Sequence, residues 1–568
     1  MTYNLIVVGS GNGACGFLSA YLQDNPDPDL RVLVLEEGKN FFYTSDIASQ
    51  LNWLRSFAEG QIFKLHNALT PKNIPIISGR ANTMGGGGSI NYTMIHESSE
   101  WLATHLGYTS EYWTELKEAL NPRFERANPA DSISPITQHV LDIAQKAGFA
   151  VSNDAIANIP NQPDGDANSL HLFPTLFNSF GQRTHSGVSI VDWSDRRLTL
   201  KTQYRVEELE FAPSSAGKSQ CVAVLARSLE TGRIERFALS DEGKLILCAG
   251  AATPRLLLPH QERLQNDEIA QGVSDHILLP LGLYLVDRNT AISPKDNYIP
   301  LFATTMWQPP PEVEARPTLC TFDFFAGELD RLIFLVSHMF LALLLPNCLK
   351  RYVIRFPLWF TITKNLVRFF IQAVNFVIDL IWGIIDRITG KPLHPEVRLV
   401  TAILKFQPAI AGYYVKNSTR ITLDFFAELE TEEGKARFDQ DKAVAKTVLK
   451  EQIELLNQLG HQPHWLVRCF IRLLTRIPYK AEQVDHYVEA YSKKFLLTEQ
   501  HMAGGCLSGP ALERGETQAE DTGKVKGTTN VHVADLSSVP LPRVSPQMTA
   551  YLIGFHVAKR LLSGFSDR

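Results

Sequence analysis

Residues 4–22, NLIVVGSGNGACGFLSAYL, decide the fold. The opening NLIVV is a short β-branched run of the kind found in a strand buried on both faces. A glycine turn and an apolar-periodic helix follow it. Residues 31–38, RVLVLEEG, give a second buried strand that ends on acid, so the chain opens with a βαβ unit in the dinucleotide-binding arrangement. Gly9 permits the tight turn, and Gly11 lets backbone approach a pyrophosphate. Asn12 and Gly13 continue the turn, and Ala14 keeps the third position small for helix–strand packing. The helix N-terminus then faces the phosphates. Glu36 stands where a carboxylate accepts hydrogen bonds from a ribose, and an acid there disfavours a 2′-phosphate. The fingerprint does not separate FAD from NAD.

Around this unit the composition is that of a globular protein, with 568 residues, 45% apolar content and a net charge of -5. A chain of that charge has no basic field to gather phosphates, which argues against a general nucleic-acid binder. The cysteines (Cys15, Cys221, Cys248, Cys320, Cys348, Cys469, Cys506) are scattered, with no CxxC pair and no His cluster at metal spacing. That pattern implies a reducing compartment and no structural zinc. The first residues reach the glycine turn without a basic n-region and read as a strand, not a secretory signal. No internal repeat is visible; residues 513–527 read as a charged surface loop and 24–30 as a helix-to-strand turn.

Residues 82–92, NTMGGGGSINY, hold four consecutive glycines. In a regular element each costs roughly 0.5–1 kcal/mol relative to Ala, so something must require bare backbone there. The segment GRANTMGGGGSINYTMI resembles a signature of the glucose-methanol-choline (GMC) oxidoreductases, whose glycines and following Asn lie against a flavin ring. Ala81, Asn82, Gly85, Gly86, Gly87, Gly88, Ile90 and Asn91 fit in order, while Met84 and Ile95 depart from the usual residues. The resemblance implies FAD, with Gly85, Gly86, Asn91 and Met94 beside it. Some members tether FAD through a His just before this Asn; Ile90 stands there, so non-covalent FAD is expected.

Later segments extend the resemblance. RLTLKTQYRVEELEF is similar to a family strand pair whose Val contacts adenine, which carries over to Val206. LILCAGAATPRLLL is similar to the turn that returns the chain to the cofactor, one residue short between Gly250 and Thr253. Residues 527–562 resemble the closing strand, loop and helix. There Asp535 carries over as a flavin-site carboxylate, with Gln547 and Met548 at a helix start that faces the flavin.

In this family a His deprotonates an alcohol while a neighbouring His or Asn steadies the oxygen. HMAGGC, residues 501–506, resembles the family's His box, so His501 is the expected base, a side chain that exchanges protons near neutral pH. The position of the partner is Ser545, with the loop from Asp535 one residue short. Ser545 is either a catalytic residue or the cap of the helix that begins at Pro546.

The segment from Arg331 to Ile378 carries six basic residues and no acidic one among many Leu, Phe, Ile and Trp. Residues 332–345, LIFLVSHMFLALLL, are shorter than the roughly 20 residues a spanning helix needs. Residues 365–387 place Arg368, Gln372, Asn375, Asp379 and Asp386 at spacings of 4, 3, 4 and 7, one polar stripe on an otherwise apolar helix. Residues 464–477 form a second basic helix with Arg468, Arg472 and Arg476 on one side. Such helices lie in an interface and dock on anionic lipid, each basic side chain adding about 1 kcal/mol. A buried layer or a subunit interface is the other reading.

The expected fold is α/β: a Rossmann-like FAD-binding domain interleaved with a substrate domain of antiparallel sheet plus helices, with an apolar helical insertion facing a membrane. The FAD domain takes residues 1–150, strands and cofactor return in 151–250, and the His-box segment 496–568. The substrate domain takes 251–495, with membrane-associating helices about 331–387 and 464–478. The resemblance and the apolar helices together imply a peripheral (monotopic) enzyme on the cytoplasmic side. It would dehydrogenate a hydrophobic small molecule, a long-chain alcohol, sterol or other isoprenoid, and pass electrons to oxygen or a quinone. The alternatives are a flavin-dependent lyase such as the family's light-driven fatty-acid decarboxylase, and a lipid-binding flavoprotein without turnover. No metal is expected.

Overall fold

The computed structural model describes residues 2–41, 62–69, 76–91, 99–124, 145–146, 150–152, 168–172, 190–214, 217–285, 303–307, 318–325, 345–346, 349, 357–390, 399–406, 408, 410–416, 421–458, 462–463, 472, 483–494, 496–514, 522–542 and 545–566. Its first sheet is built on β1 (Thr2–Val8), followed by α1 (Asn12–Asp24) and β2 (Val32–Glu36). Four strands from the middle of the chain join it: β3 (Leu198–Thr202), β4 (Tyr204–Pro213), β5 (Ser219–Ser228) and β6 (Ile234–Leu247). The parallel order is β3-β2-β1-β6, with Leu5 opposite Val32 and Val8 opposite Leu247. Beyond β6 pairs β7 (Val531–Val533), parallel, with Leu247 opposite Val533. The outer half of β6 continues into an antiparallel β4–β5–β6 meander. This is the doubly wound order expected of a dinucleotide-binding sheet, completed by a strand some five hundred residues from its first.

The runs that read as buried strands are buried: Leu5, Val7, Val32, Val34 and Ile246 have no exposure. They share one core with Phe17 and Leu18 of α1 and with Tyr551, Leu552 and Phe555 of the C-terminal helix. That helix, α3 (Gln547–Ser566), lies directly on α1; an intervening helix, α2, is described below. Gly16 is required at this contact, because a Cβ there would run into the carbonyl oxygen of Tyr551, and Gly13 sits as closely against the carbonyl oxygen of Ala534 just after β7. The glycine turn and the end of the chain are thereby locked together at one edge of the sheet.

His532 on β7 is fully enclosed, with Nδ1 donating to the Thr522 carbonyl at 3.0 Å, and burial pulls its pKa down to about 4. The unfolded chain therefore takes up the proton first as pH falls, so the contribution of His532 to stability is complete above about pH 6.5 and is lost towards pH 4. A His532→Gln variant is expected to flatten the acid side of the denaturant-midpoint profile between pH 4 and 6.5. The part of the slope removed corresponds to on the order of 2–3 kcal/mol; a variant as steep as the wild type would contradict this.

The second sheet is largely antiparallel. Its consecutive strands are Leu496–Thr498, Ile277–Leu285, Leu399–Phe406, Thr318–Phe325, Ala303–Trp307 and Asn168–Leu172. Ala150–Ser152 and Asn168–Leu172, expected with the FAD-domain strands, lie here instead, Asn168–Leu172 antiparallel to Ala303–Trp307 and Ala150–Ser152 parallel to Asn168–Leu172. A run of three to five residues gives no indication of which sheet it joins, and long-range pairing decides it.

Between two strands of this sheet the chain forms α2 (Pro357–Thr389), 33 residues and about 50 Å long at about 1.5 Å per residue. Its large apolar residues face outward. Leu366, Phe369, Phe370, Phe376, Leu380 and Ile388 are all more than half exposed, Ile388 at 79%. Their positions recur at threes and fours, so they share one side. Among the described residues no helix is long and apolar enough to cross a membrane. Residues 332–344 and nearly all of 464–477 lie outside the described residues.

Candidate active site

Two glycine segments meet at the end of β1. Gly86 has φ +56, and a Cβ on it would stand 2.9 Å from Gly11 Cα, so the fingerprint turn and the glycine run touch backbone to backbone. Ser10 joins them further. Its hydroxyl accepts from Gly85 N at 3.0 Å and donates to Glu36 Oε2 at 2.7 Å, and its amide donates to the same oxygen. The other Glu36 oxygen accepts from Gly38 N at 2.6 Å. The acid at the end of β2 thus ties both loops together. Burial raises its pKa, against the three donors that favour the anion.

On the far side of the run, Asn91 Nδ2 donates to Gln547 Oε1 at 2.8 Å, so the glycine segment reaches the first residue of α3. Met548 is buried at the same helix start. The Pro546 carbonyl accepts from Ala550 N at 2.9 Å, which puts Pro546 in the capping position and the buried Ser545 one residue outside it. Asp535 is a buried junction. Gly250 N and Thr253 Oγ1 donate to one of its oxygens at 2.8 and 2.6 Å, and Ser537 N and Oγ donate to the other at 2.8 and 2.6 Å. The shortened turn after β6 is therefore held by Asp535. Val206 is buried on β4; Met94 lies outside the described residues.

The His box runs beside this junction, with Gly504 N donating to the Leu536 carbonyl at 3.1 Å and Cys506 N to that of Ser537 at 2.9 Å. Its strand, Leu496–Thr498, is antiparallel to Ile277–Leu285, with Ile277 opposite Thr498, and the pairing resumes where Ser274 and Ala503 exchange both hydrogen bonds. That ladder sets His276 beside His501, although 225 residues separate them. Asp275 Oδ1 accepts from His501 N at 2.8 Å, and burial pushes the Asp275 carboxyl up to about 7.

The ring tautomers follow from the partners. The Pro542 carbonyl, 2.8 Å from His276 Nε2, can only accept, so that nitrogen carries a proton and neutral His276 presents a lone pair at Nδ1. His501 Nδ1 faces two acceptors, that lone pair at 3.2 Å and Glu499 Oε2 at 3.1 Å, so it carries the ring proton and leaves the lone pair on His501 Nε2. Glu499 Oε2 stands 3.1 Å from His501 Nδ1 and is largely buried. The arrangement is a base whose proton-free nitrogen is fixed by one neighbour and whose protonated form is compensated by another. His276, Glu499 and Asp275 escaped the sequence reading. The pair Asp275-His276 at the head of a strand was the available signal.

The pieces fit a flavin dinucleotide. Next to the Gly11–Gly86 contact, a Cβ on Gly87 would meet nothing within 4 Å, so the run opens onto space. Asn82 Oδ1, buried at the head of the run, has no hydrogen-bond partner among the described residues. Replacing Gly86 by Ala places a side chain in left-handed backbone and against Gly11. We expect the variant to lose most of its bound flavin and about 1–2 kcal/mol of stability, read from the flavin-to-protein absorbance ratio and a denaturant curve. Full flavin content would contradict a close approach at this glycine.

Residues 428–554 match the family described as GMC oxidoreductase. Among solved structures, formate oxidase from Aspergillus oryzae RIB40 is similar at 14% identity and TM-score 0.67, over 100% of this chain and 99% of its own. Pyridoxine 4-oxidase from Mesorbium loti is similar at 15% identity and TM-score 0.65, over 99% of both chains. A fungal aryl-alcohol oxidase reaches TM-score 0.54 at 15% identity over 100% of this chain and 99% of that one. No curated protein matches the sequence.

Proposed function

We propose, from the match of residues 428–554 to the GMC oxidoreductases and the likeness of fold, that the chain is an FAD enzyme of that kind and that it oxidises a hydrophobic alcohol drawn from a membrane surface. The chemistry rests on the disposition of His501. FAD, when bound, supplies the two-electron acceptor for the substrate carbon. His501 Nε2 takes the hydroxyl proton, and Glu499, 3.1 Å from the opposite ring nitrogen, balances the imidazolium. His276 holds the tautomer at 3.2 Å, and Asp275 fixes the backbone of the base. The start of α3, with Gln547 and Met548, brings the positive end of a helix to the glycine run that Asn91 touches. Ser545 precedes that helix and is a second contact for the substrate oxygen.

The observation that carries the substrate class is the outward apolar side of α2, joined to the basic, acid-free character of residues 331–378. A membrane explains both features, since hydrocarbon accepts the exposed Phe and Ile while anionic headgroups accept Lys and Arg. The enzyme is then peripheral, on the cytoplasmic face, in keeping with buried free thiols at Cys15, Cys221, Cys248 and Cys506. Oxygen or a membrane quinone reoxidises the cofactor, and the similar structures named as oxidases support oxygen. The test is kcat/KM for a series of primary alcohols of rising chain length, with and without anionic vesicles. The expected result is a steep rise with length that vesicles enhance. Equal or better turnover of short polar alcohols would contradict the substrate class.

A further inference from the structure

We infer that His276, Glu499 and His501 form a binding site for a divalent transition-metal ion of the Zn²⁺ class, and that the ion switches the base off. The three donor atoms, His276 Nδ1, His501 Nδ1 and Glu499 Oε2, are separated by 3.2, 3.1 and 3.8 Å. A tetrahedral ion with bonds of about 2.0–2.1 Å has ligand atoms about 3.3–3.4 Å apart, so the triangle matches one face of such a tetrahedron. Two imidazoles and one carboxylate are also the donor set of an open zinc centre, with the fourth position left to water.

The surroundings of the ligands point the same way. His276 gives its other ring N–H to the Pro542 carbonyl at 2.8 Å, the outer contact that orients a metal-ligating imidazole and keeps the facing nitrogen unprotonated. Asp275 Oδ1 holds the backbone of His501 at 2.8 Å. His276 is fully enclosed, while Glu499 and His501 retain 11% and 16% exposure, an approach for a small ion. All three ligands stand between the Ile277–Thr498 and Ser274–Ala503 pairs of one antiparallel pairing, where Glu499 N donates to the His276 carbonyl at 3.0 Å, so little rearrangement is needed.

The consequence for catalysis rests on His501 acting as base. In the metal-free ring the proton sits on Nδ1 and the lone pair on Nε2. Metal at Nδ1 displaces that proton, and a neutral imidazole then keeps its one proton at Nε2. The nitrogen assigned to the substrate hydroxyl now donates instead of accepting, and the oxidation stops without loss of FAD.

The experiment is a calorimetric titration of the FAD-loaded enzyme with ZnCl₂, repeated on His276→Ala and Glu499→Gln, alongside turnover with and without Zn²⁺ and EDTA. One saturable site per chain is expected, with at least tenfold weaker binding in each variant. Zn²⁺ is also expected to inhibit the wild type reversibly, EDTA restoring turnover and the flavin spectrum being retained. Absence of saturable binding, or binding unchanged in both variants, overturns the site while leaving the proposed activity untouched. Binding that the variants weaken but that leaves turnover intact upholds the site and removes His501 from the role of base.

Discussion

A His501→Gln variant is expected to lose a factor on the order of 10²–10⁴ in kcat while retaining bound FAD, the usual contribution of a positioned general base. Gln keeps a hydrogen-bonding group near Glu499 and His276 but cannot take a proton, so the loss isolates proton abstraction. The flavin should stay because the glycine run, Asn91 and the Asp535 junction are built without His501. Rapid-quench turnover and the flavin-to-protein ratio are the two readings. A variant within tenfold of wild type would show that the proton leaves by another group, and Ser545 would be the first to replace.

The second large effect concerns α2. Phe369, Phe370 and Phe376 are exposed to 71, 67 and 68%. Fully burying an apolar side chain of this size is worth about 1.5–3 kcal/mol, so three Phe→Ser changes should weaken vesicle partitioning by on the order of 10³-fold. Folding should be almost unaffected, because these rings contribute little to any core. Sedimentation with anionic vesicles measures the first effect and a denaturant curve the second. Unchanged partitioning would remove the membrane reading. A large loss of stability would mean that α2 is covered by protein, as in the reading of a subunit interface.

How far the sequence carried depended on how local each determinant is. The βαβ unit was legible because burial period, glycine turn and acid lie within residues 4–38, and the glycine run announced itself by cost. The His box was legible because it is contiguous. Its partner was not, since His276 is set by a strand register and lies 225 residues away, and Glu499 reads as an ordinary surface acid until that register buries it. The helix in residues 365–387 was visible from its spacing, whereas the direction of its apolar side is a tertiary fact and came only with the fold. Residues 151–250 read as FAD-domain strands, yet Ala150–Ser152 and Asn168–Leu172 join the other sheet, because strand pairing at that range leaves no local pattern.

Glu36 shows a subtler gap. Its position at the end of β2 was legible, but the three donors it collects from Ser10 and Gly38 were not. Hydrogen-bond partners of a buried acid are chosen by whichever loops close over it, and here the closing loop is the glycine run itself through Gly85.

Whether a flavin in this chain takes electrons from a hydrophobic alcohol with His501 as the base is read from an anaerobic visible spectrum of the purified protein in the dark. Long-chain alcohols and sterols are added, and the His501→Gln variant is measured beside the wild type. The expected result is a yellow protein whose flavin band bleaches with these alcohols and stays nearly unchanged in the variant. A yellow protein that no alcohol bleaches would contradict it, and a fatty acid under blue light would then be the substrate to try.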